Sequence, residues 1–145
     1  MKYVISACLA GITCRYDGFS NSNDTVLRLA RSGSAVLVCP ELLGGLSVPR
    51  TPCEILHDRV YDNHGSDKTK NFERGALKAL NIALSHGCAR ALLKARSPSC
   101  GYGCVYDGTF HHVLTPGCGF YAALLEKAGI KIFTEENIRA FLDTL

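Results

Sequence analysis

The sequence contains eight cysteines, whose thiols can bind metals or act as nucleophiles. Three of them, Cys8, Cys39 and Cys100, follow apolar segments that have the pattern of buried β-strands. The carboxyl ends of parallel strands lie along one edge of a sheet, and open α/β folds bind their ligands at that edge. We therefore expect these three thiols to meet at one site, although they lie far apart in the sequence.

Three converging thiolates favour a metal centre. Iron–sulfur clusters usually take four cysteine ligands, so three leave one iron open, just as a catalytic zinc keeps one position free of protein ligands. An open iron is a Lewis acid with an affinity for sulfur, which makes a sulfur-containing substrate its natural partner. The alternative is that the three cysteines are small buried residues of the core, where free cysteine is common.

The remaining cysteines give weaker signals. Cys14 and Cys53 lie in the loops nearest the predicted site, and each is a candidate for a fourth ligand. Together with Cys8 they would instead form a zinc site. Cys104 follows Cys100 in the segment CGYGC, which is not the C-x-x-C spacing of thioredoxins or zinc ribbons.

Polar residues accompany the predicted ligands. Glu41 follows Cys39 by two residues and is placed to act as a general acid or base, or else to begin a short helix. Ser97 and Ser99 flank a proline before Cys100. Their hydroxyls would donate a proton or orient a substrate, although serines beside proline also stabilise turns.

Four cationic or titratable residues near these segments have simpler interpretations. Arg50 and Arg96 would bind an anion or a carbonyl oxygen, but we interpret them as solvated charges. His111 and His112 are adjacent in a predicted strand, and adjacent strand residues point to opposite faces. They therefore make a poor metal-binding pair.

The elements that must position these residues alternate along the chain. The pattern predicts strands over 2–7, 35–38, 89–95 and 130–133, helices over 24–31, from Ser66 or Asp67 to Gly87, over 119–128 and over 135–142, and hairpins over 54–61 and 104–114. Residues 41–53 contain two glycines and two prolines and are predicted to form a loop. The fold class that follows is α/β, an open, mainly parallel, Rossmann-like sheet with helices on both faces and two short hairpins.

Length and composition restrict the possibilities further. The 145 residues, 47% hydrophobic and 20% charged, predict one globular domain over residues 1–145. A net charge of +3, scattered along the chain, does not favour a nucleic-acid partner. No apolar run approaches the ~20 residues of a membrane helix, and the run before Cys8 is too short for a signal peptide. We expect a cytoplasmic protein with reduced cysteines.

Five segments carry a resemblance to a known family. They are SACLAGITCRYDGFSN, VCPELLGGLSVPR, KARSPSCG, VYDGTF and AALLEKAGIKIFTEENI. Together they resemble the small bacterial thiouracil desulfidase family from nearly one end of the chain to the other. The resemblance implies a 4Fe–4S cluster held by Cys8, Cys39 and Cys100, the same three cysteines that the strand pattern selects. It also implies that Glu41 and Ser97 take part in proton transfer.

The function expected from this resemblance is hydrolytic removal of sulfur from a small thiolated pyrimidine. Its C=S group would become C=O, with the sulfide taken by the open iron. A sulfur carrier or sulfurtransferase is a second hypothesis, although no phosphate-binding loop for ATP activation is visible. A third hypothesis is a non-catalytic module that senses metal or redox state, and a fourth is a hydrolase or redox enzyme that uses Cys100 alone.

Overall fold

The structure is a computed structural model that describes residues 2–145. Its strands are β1 (Tyr3–Ser6), β2 (Ala35–Val38), β3 (Cys53–Leu56), β4 (Arg59–Asp62), β5 (Arg90–Leu93), β6 (Cys104–Tyr106), β7 (Leu114–Pro116) and β8 (Lys131–Thr134). Its α-helices are α1 (Asp24–Ala30), α2 (Pro40–Leu43), α3 (Thr69–Ser85), α4 (Phe120–Lys127) and α5 (Ile138–Leu142). Two one-turn 3₁₀ helices, Ala7–Ala10 and Glu135–Asn137, complete the elements.

Four strands form a parallel sheet in the order β2-β1-β5-β8. In the central pairing, Ile5 of β1 lies opposite Leu37 of β2 and Leu92 of β5. All three pairs of neighbouring strands are parallel, which confirms the predicted sheet. Residues 2–145 contain no helix long and apolar enough to cross a bilayer.

Apolar side chains cover both faces of this sheet. Val4 packs into a core with residues of α3 and α4, whereas its neighbour Ile5 packs into a second core with residues of α1 and α5. This alternation is the two-residue period of a strand buried on both sides. The prediction of helices on both faces is therefore confirmed.

Two antiparallel hairpins stand outside the main sheet, as predicted. Strands β3 and β4 are joined by His57 and Asp58, which both have positive φ, as a two-residue hairpin turn requires. Strands β6 and β7 are joined by the longer segment 107–113. A single bridge between Arg96 and Val105 connects this second hairpin to the loop after β5.

Helix α2 corrects the prediction that residues 41–53 form a loop from their first residue. Pro40 occupies the first turn, where its fixed φ favours a helix, and the element ends after four residues. A helix this short shows no periodicity in the sequence. It packs closely on α3, because a Cβ at Gly75 would lie 1.8 Å from the carbonyl oxygen of Pro40. This close approach fixes the backbone on either side of Glu41.

Candidate active site

A cavity of about 340 Å³ opens at the carboxyl edge of the parallel sheet. Residues at the ends of β1, β2 and β5 line it, together with residues from the hairpins and the loop before α1. It is also lined by every residue that the sequence predicts for the site: Cys8, Cys39, Glu41, Ser97 and Cys100. The long-range convergence expected from the strand pattern is present.

The three cysteines reach the cavity by different routes. Cys8 lies in the 3₁₀ turn directly after β1, and Cys39 stands between β2 and α2. Cys100 does not end a strand as predicted, because β5 stops at Leu93. A loop over 94–99 returns the chain to the cavity, and Cys100 packs there as a buried residue of the core beside α4.

Cys14 is a buried thiol that is hydrogen-bonded to two of the predicted ligands. Its hydrogen bond lowers the pKa of Cys39 to about 7 and also lowers the pKa of Cys8. The same two contacts raise the pKa of Cys14 itself, so Cys14 keeps its proton. Cys8 and Cys39 are thereby favoured as thiolates, the form in which cysteine binds metal.

Cys100 lies in a different environment. Only 4% of its surface is exposed, and this burial raises the pKa of the Cys100 thiol well above its usual range. A hydrogen bond with Ser6 acts in the opposite direction. A buried thiol of this kind loses its proton when a metal binds, because the cation then compensates the thiolate.

The arrangement of the thiols indicates which metal group they fit. Among residues 2–145, no three His, Cys, Asp or Glu side chains lie close enough to hold a single metal ion. Cys8, Cys14 and Cys53, the alternative zinc ligands, therefore form no such group in the described residues. A 4Fe–4S cluster is bound through separate irons, so its cysteines stand further apart than the ligands of one ion. Three thiols around one cavity fit such a cluster.

The two remaining candidate cysteines differ in position. Cys53 lines the cavity, and its pKa is raised to about 12, chiefly by burial. It is therefore a neutral thiol at physiological pH. Cys104 lies in β6 and is not among the cavity-lining residues.

Glu41 is held at both of its carboxylate oxygens. Arg50 Nε donates to Oε1 at 3.0 Å, and Ser99 Oγ donates to Oε2 at 3.3 Å. The Arg50 side chain is only 7% exposed, so the interpretation of this residue as a solvated charge is wrong. A second nitrogen of Arg50 donates to the carbonyl of Cys14 at 2.8 Å, which ties the cysteine loop to the carboxylate.

The two serines of the segment SPSC have different partners. Ser97 Oγ accepts hydrogen bonds from the backbone N–H groups of Ser99 and Cys100, at 3.1 and 3.0 Å. It therefore holds the turn that presents Cys100, and its own hydrogen is left for a further acceptor. Ser99 is fully buried, and its hydroxyl is the one that contacts Glu41.

Several residues of the cavity wall were not predicted for the site. They include Arg15, Tyr16 and Asn21 from the loop before α1, and Tyr106 and His112 from the second hairpin. The rings of Tyr106 and His112 pack edge to face with centroids 6.1 Å apart. Because the second hairpin reaches the cavity only by folding over the loop after β5, no local sequence signal marks Tyr106 and His112.

Comparison with known proteins identifies the family. The model of the 2-thiouracil desulfurase family matches residues 3–137. The chain belongs to this family. The uncharacterized protein YbbK of Bacillus subtilis (strain 168) is 37% identical over 149 residues, which cover 96% of this chain and 99% of that protein.

A solved structure extends this relation to the fold. The chain is similar to the 4Fe–4S-dependent thiouracil desulfidase TudS, with 40% sequence identity and a TM-score of 0.92 over 99% of each chain. The family resemblance drawn from the motifs is thus confirmed.

The partly buried ion pair of Arg50 and Glu41 generates a stability prediction. Arg50→Met leaves the Glu41 carboxylate without its cation and should cost about 2 kcal/mol in the free energy of unfolding, because hydrogen bonds to charged groups contribute about 1.5–3 kcal/mol. Adding Glu41→Gln removes that charge, so the double variant should recover about 1 kcal/mol or more relative to the sum of the single variants. Urea denaturation of the cluster-free protein under reducing conditions measures both values.

The control is Arg139→Met, which changes an exposed residue and should alter stability by less than about 0.5 kcal/mol. Additive effects of Arg50→Met and Glu41→Gln would contradict the coupling.

Proposed function

We propose that this chain removes sulfur from thiouracil by hydrolysis, using a 4Fe–4S cluster bound by Cys8, Cys39 and Cys100. The observation that carries the proposal is the convergence of these three thiols on one cavity whose wall also holds Glu41. With three cysteine ligands the cluster supplies one open iron, a Lewis acid toward a thiocarbonyl sulfur.

Glu41 is the proposed general base. Its carboxylate is held between Arg50 and Ser99, so its position relative to the three cysteines is fixed before a substrate binds. It takes one proton from the water that attacks the C=S carbon. The C=O bond forms as the C–S bond breaks, and the protons of the water leave with the sulfide. The reaction has no net change in oxidation state.

Ser97 is the proposed partner in proton transfer. The Ser97 oxygen already accepts hydrogen bonds from two backbone N–H groups. Its hydroxyl hydrogen is therefore free to be donated to a group in the cavity. Ser99 donates to Glu41, so it orients the base.

The cavity also supports a small substrate. A volume of about 340 Å³ lies at the lower end of the range for small-molecule sites. Because the cluster takes up part of this volume, the space that is left suits a single thiolated pyrimidine. Nothing in the weak net charge favours nucleic acid as the partner. We propose a cytoplasmic location for the protein, where a reducing environment keeps cysteines as thiols.

The test of this function is the conversion of 2-thiouracil and 4-thiouracil to uracil and sulfide by the anaerobically reconstituted protein. Alanine at Cys8, Cys39 or Cys100 should abolish product formation together with the visible absorption of the cluster. Cys118→Ala, which changes a cysteine outside the cavity, is the matched control and should keep both. A cluster-loaded protein that releases no sulfide from either substrate would contradict the proposal.

Glu41→Gln tests the catalytic assignment. The amide has the same shape but takes up no proton, so turnover should fall about 10²–10⁴-fold while iron content stays unchanged. Ser97→Ala should also reduce turnover, by a smaller factor. The control is Glu73→Gln on the exposed face of α3. Wild-type turnover by Glu41→Gln would show that another group is the base.

A further inference from the structure

Asn21 is a cavity residue for which the proposed reaction has no use. It lies in the loop before α1, and its backbone N–H donates to the carbonyl oxygen of Cys8 at 2.8 Å. Its side chain is also hydrogen-bonded to the sulfur of Cys8. Asn21 therefore holds this predicted ligand at two points, through the backbone and through the sulfur.

Two charged residues fix the orientation of the Asn21 amide. Arg15 Nη1 donates to Asn21 Oδ1 at 3.1 Å, and Arg15 Nη2 is paired with Asp17 Oδ2 at 2.6 Å. Because Oδ1 is occupied by a cationic donor, the amide NH₂ group is the one that faces the sulfur of Cys8. The chain Asp17–Arg15–Asn21 thus directs an N–H donor at the thiolate.

Besides the contacts of Cys14 with Cys8 and Cys39, each of the three predicted ligands has a hydrogen-bonding partner at its sulfur. The sulfur of Cys39 is bonded to the backbone of Leu42, and the sulfur of Cys100 to the hydroxyl of Ser6. Ser6 is held in turn, since its Oγ accepts from the backbone N–H of Lys94 at 3.0 Å. Hydrogen bonds to ligand sulfurs are among the factors that set cluster potentials, and such outer contacts also govern metal affinity.

We propose that Asn21 is a positioning residue for the cluster, and that its amide, held by Arg15 and Asp17, stabilises the Cys8–iron bond and raises the reduction potential of the cluster. This inference rests on the proposed function, because it requires a cluster at Cys8. Unlike the proposed function, it concerns how easily the cluster is reduced and how firmly it is retained. An N–H donor withdraws charge from the thiolate, which favours the more negative, reduced cluster.

The test compares Asn21→Asp with Asn81→Asp. Both variants change an amide to a carboxylate, but Asn81 lies on the exposed face of α3, outside the cavity. After anaerobic reconstitution, a redox titration followed by absorbance gives the potential, and transfer of iron to a chelator gives the retention. Asn21→Asp should have a lower potential than wild type and lose iron about 10-fold faster. Asn81→Asp should match wild type in both.

Two further variants keep the inference testable if Asn21→Asp does not fold. Asn21→Gln retains the donor group and should restore part of the potential. Arg15→Met leaves the amide in place but releases its Oδ1, so it should shift the potential and the iron release in the same direction as Asn21→Asp, by less.

Two outcomes would overturn the inference for different reasons. Equal potentials and equal iron release in wild type, Asn21→Asp and Asn81→Asp would show that Asn21 does not act on the cluster, with the proposed function intact. Failure of the wild type itself to take up iron and sulfide would instead remove the proposed function, and this inference with it.

Discussion

Concentration of negative charge at one edge of the sheet is the constraint on which the rest of the site depends. Cys8 and Cys39, whose pKa values are lowered, share one cavity with the Glu41 carboxylate, and Cys100 becomes a third thiolate when a metal binds. Unpaired buried charges cost several kcal/mol each. Arg50 pairs with Glu41 at 3.0 Å, and Lys94 lowers the pKa of Cys8 as one of several contributions.

The division between sheet and loops follows from the same constraint. The parallel strands are buried on both faces and form a rigid scaffold. Their apolar side chains cannot bind a metal or transfer a proton. The reactive residues therefore lie just beyond the strand ends, where backbone N–H groups and side chains remain available to them. Arg50 joins two such loops by donating to the carbonyl oxygens of Cys14 and Ser47.

Local pattern predicted much of this arrangement, and long-range contacts account for what it missed. Strand β2 has the bounds that the sequence predicts, Ala35–Val38. By contrast, the hydrogen bond between Ser99 and Glu41 joins residues 58 positions apart, and no local sequence pattern predicts it. Helix α2 is too short for periodicity, and the burial of Arg50 depends on the fold of two loops.

The central claim is that Cys8, Cys39 and Cys100 bind a 4Fe–4S cluster. The most direct measurement is iron and acid-labile sulfide per chain after anaerobic purification, recorded with the absorption spectrum. The account predicts about four of each in the wild type and none in the variant with alanine at all three cysteines. No iron or sulfide in the wild type, even after anaerobic reconstitution, would contradict it.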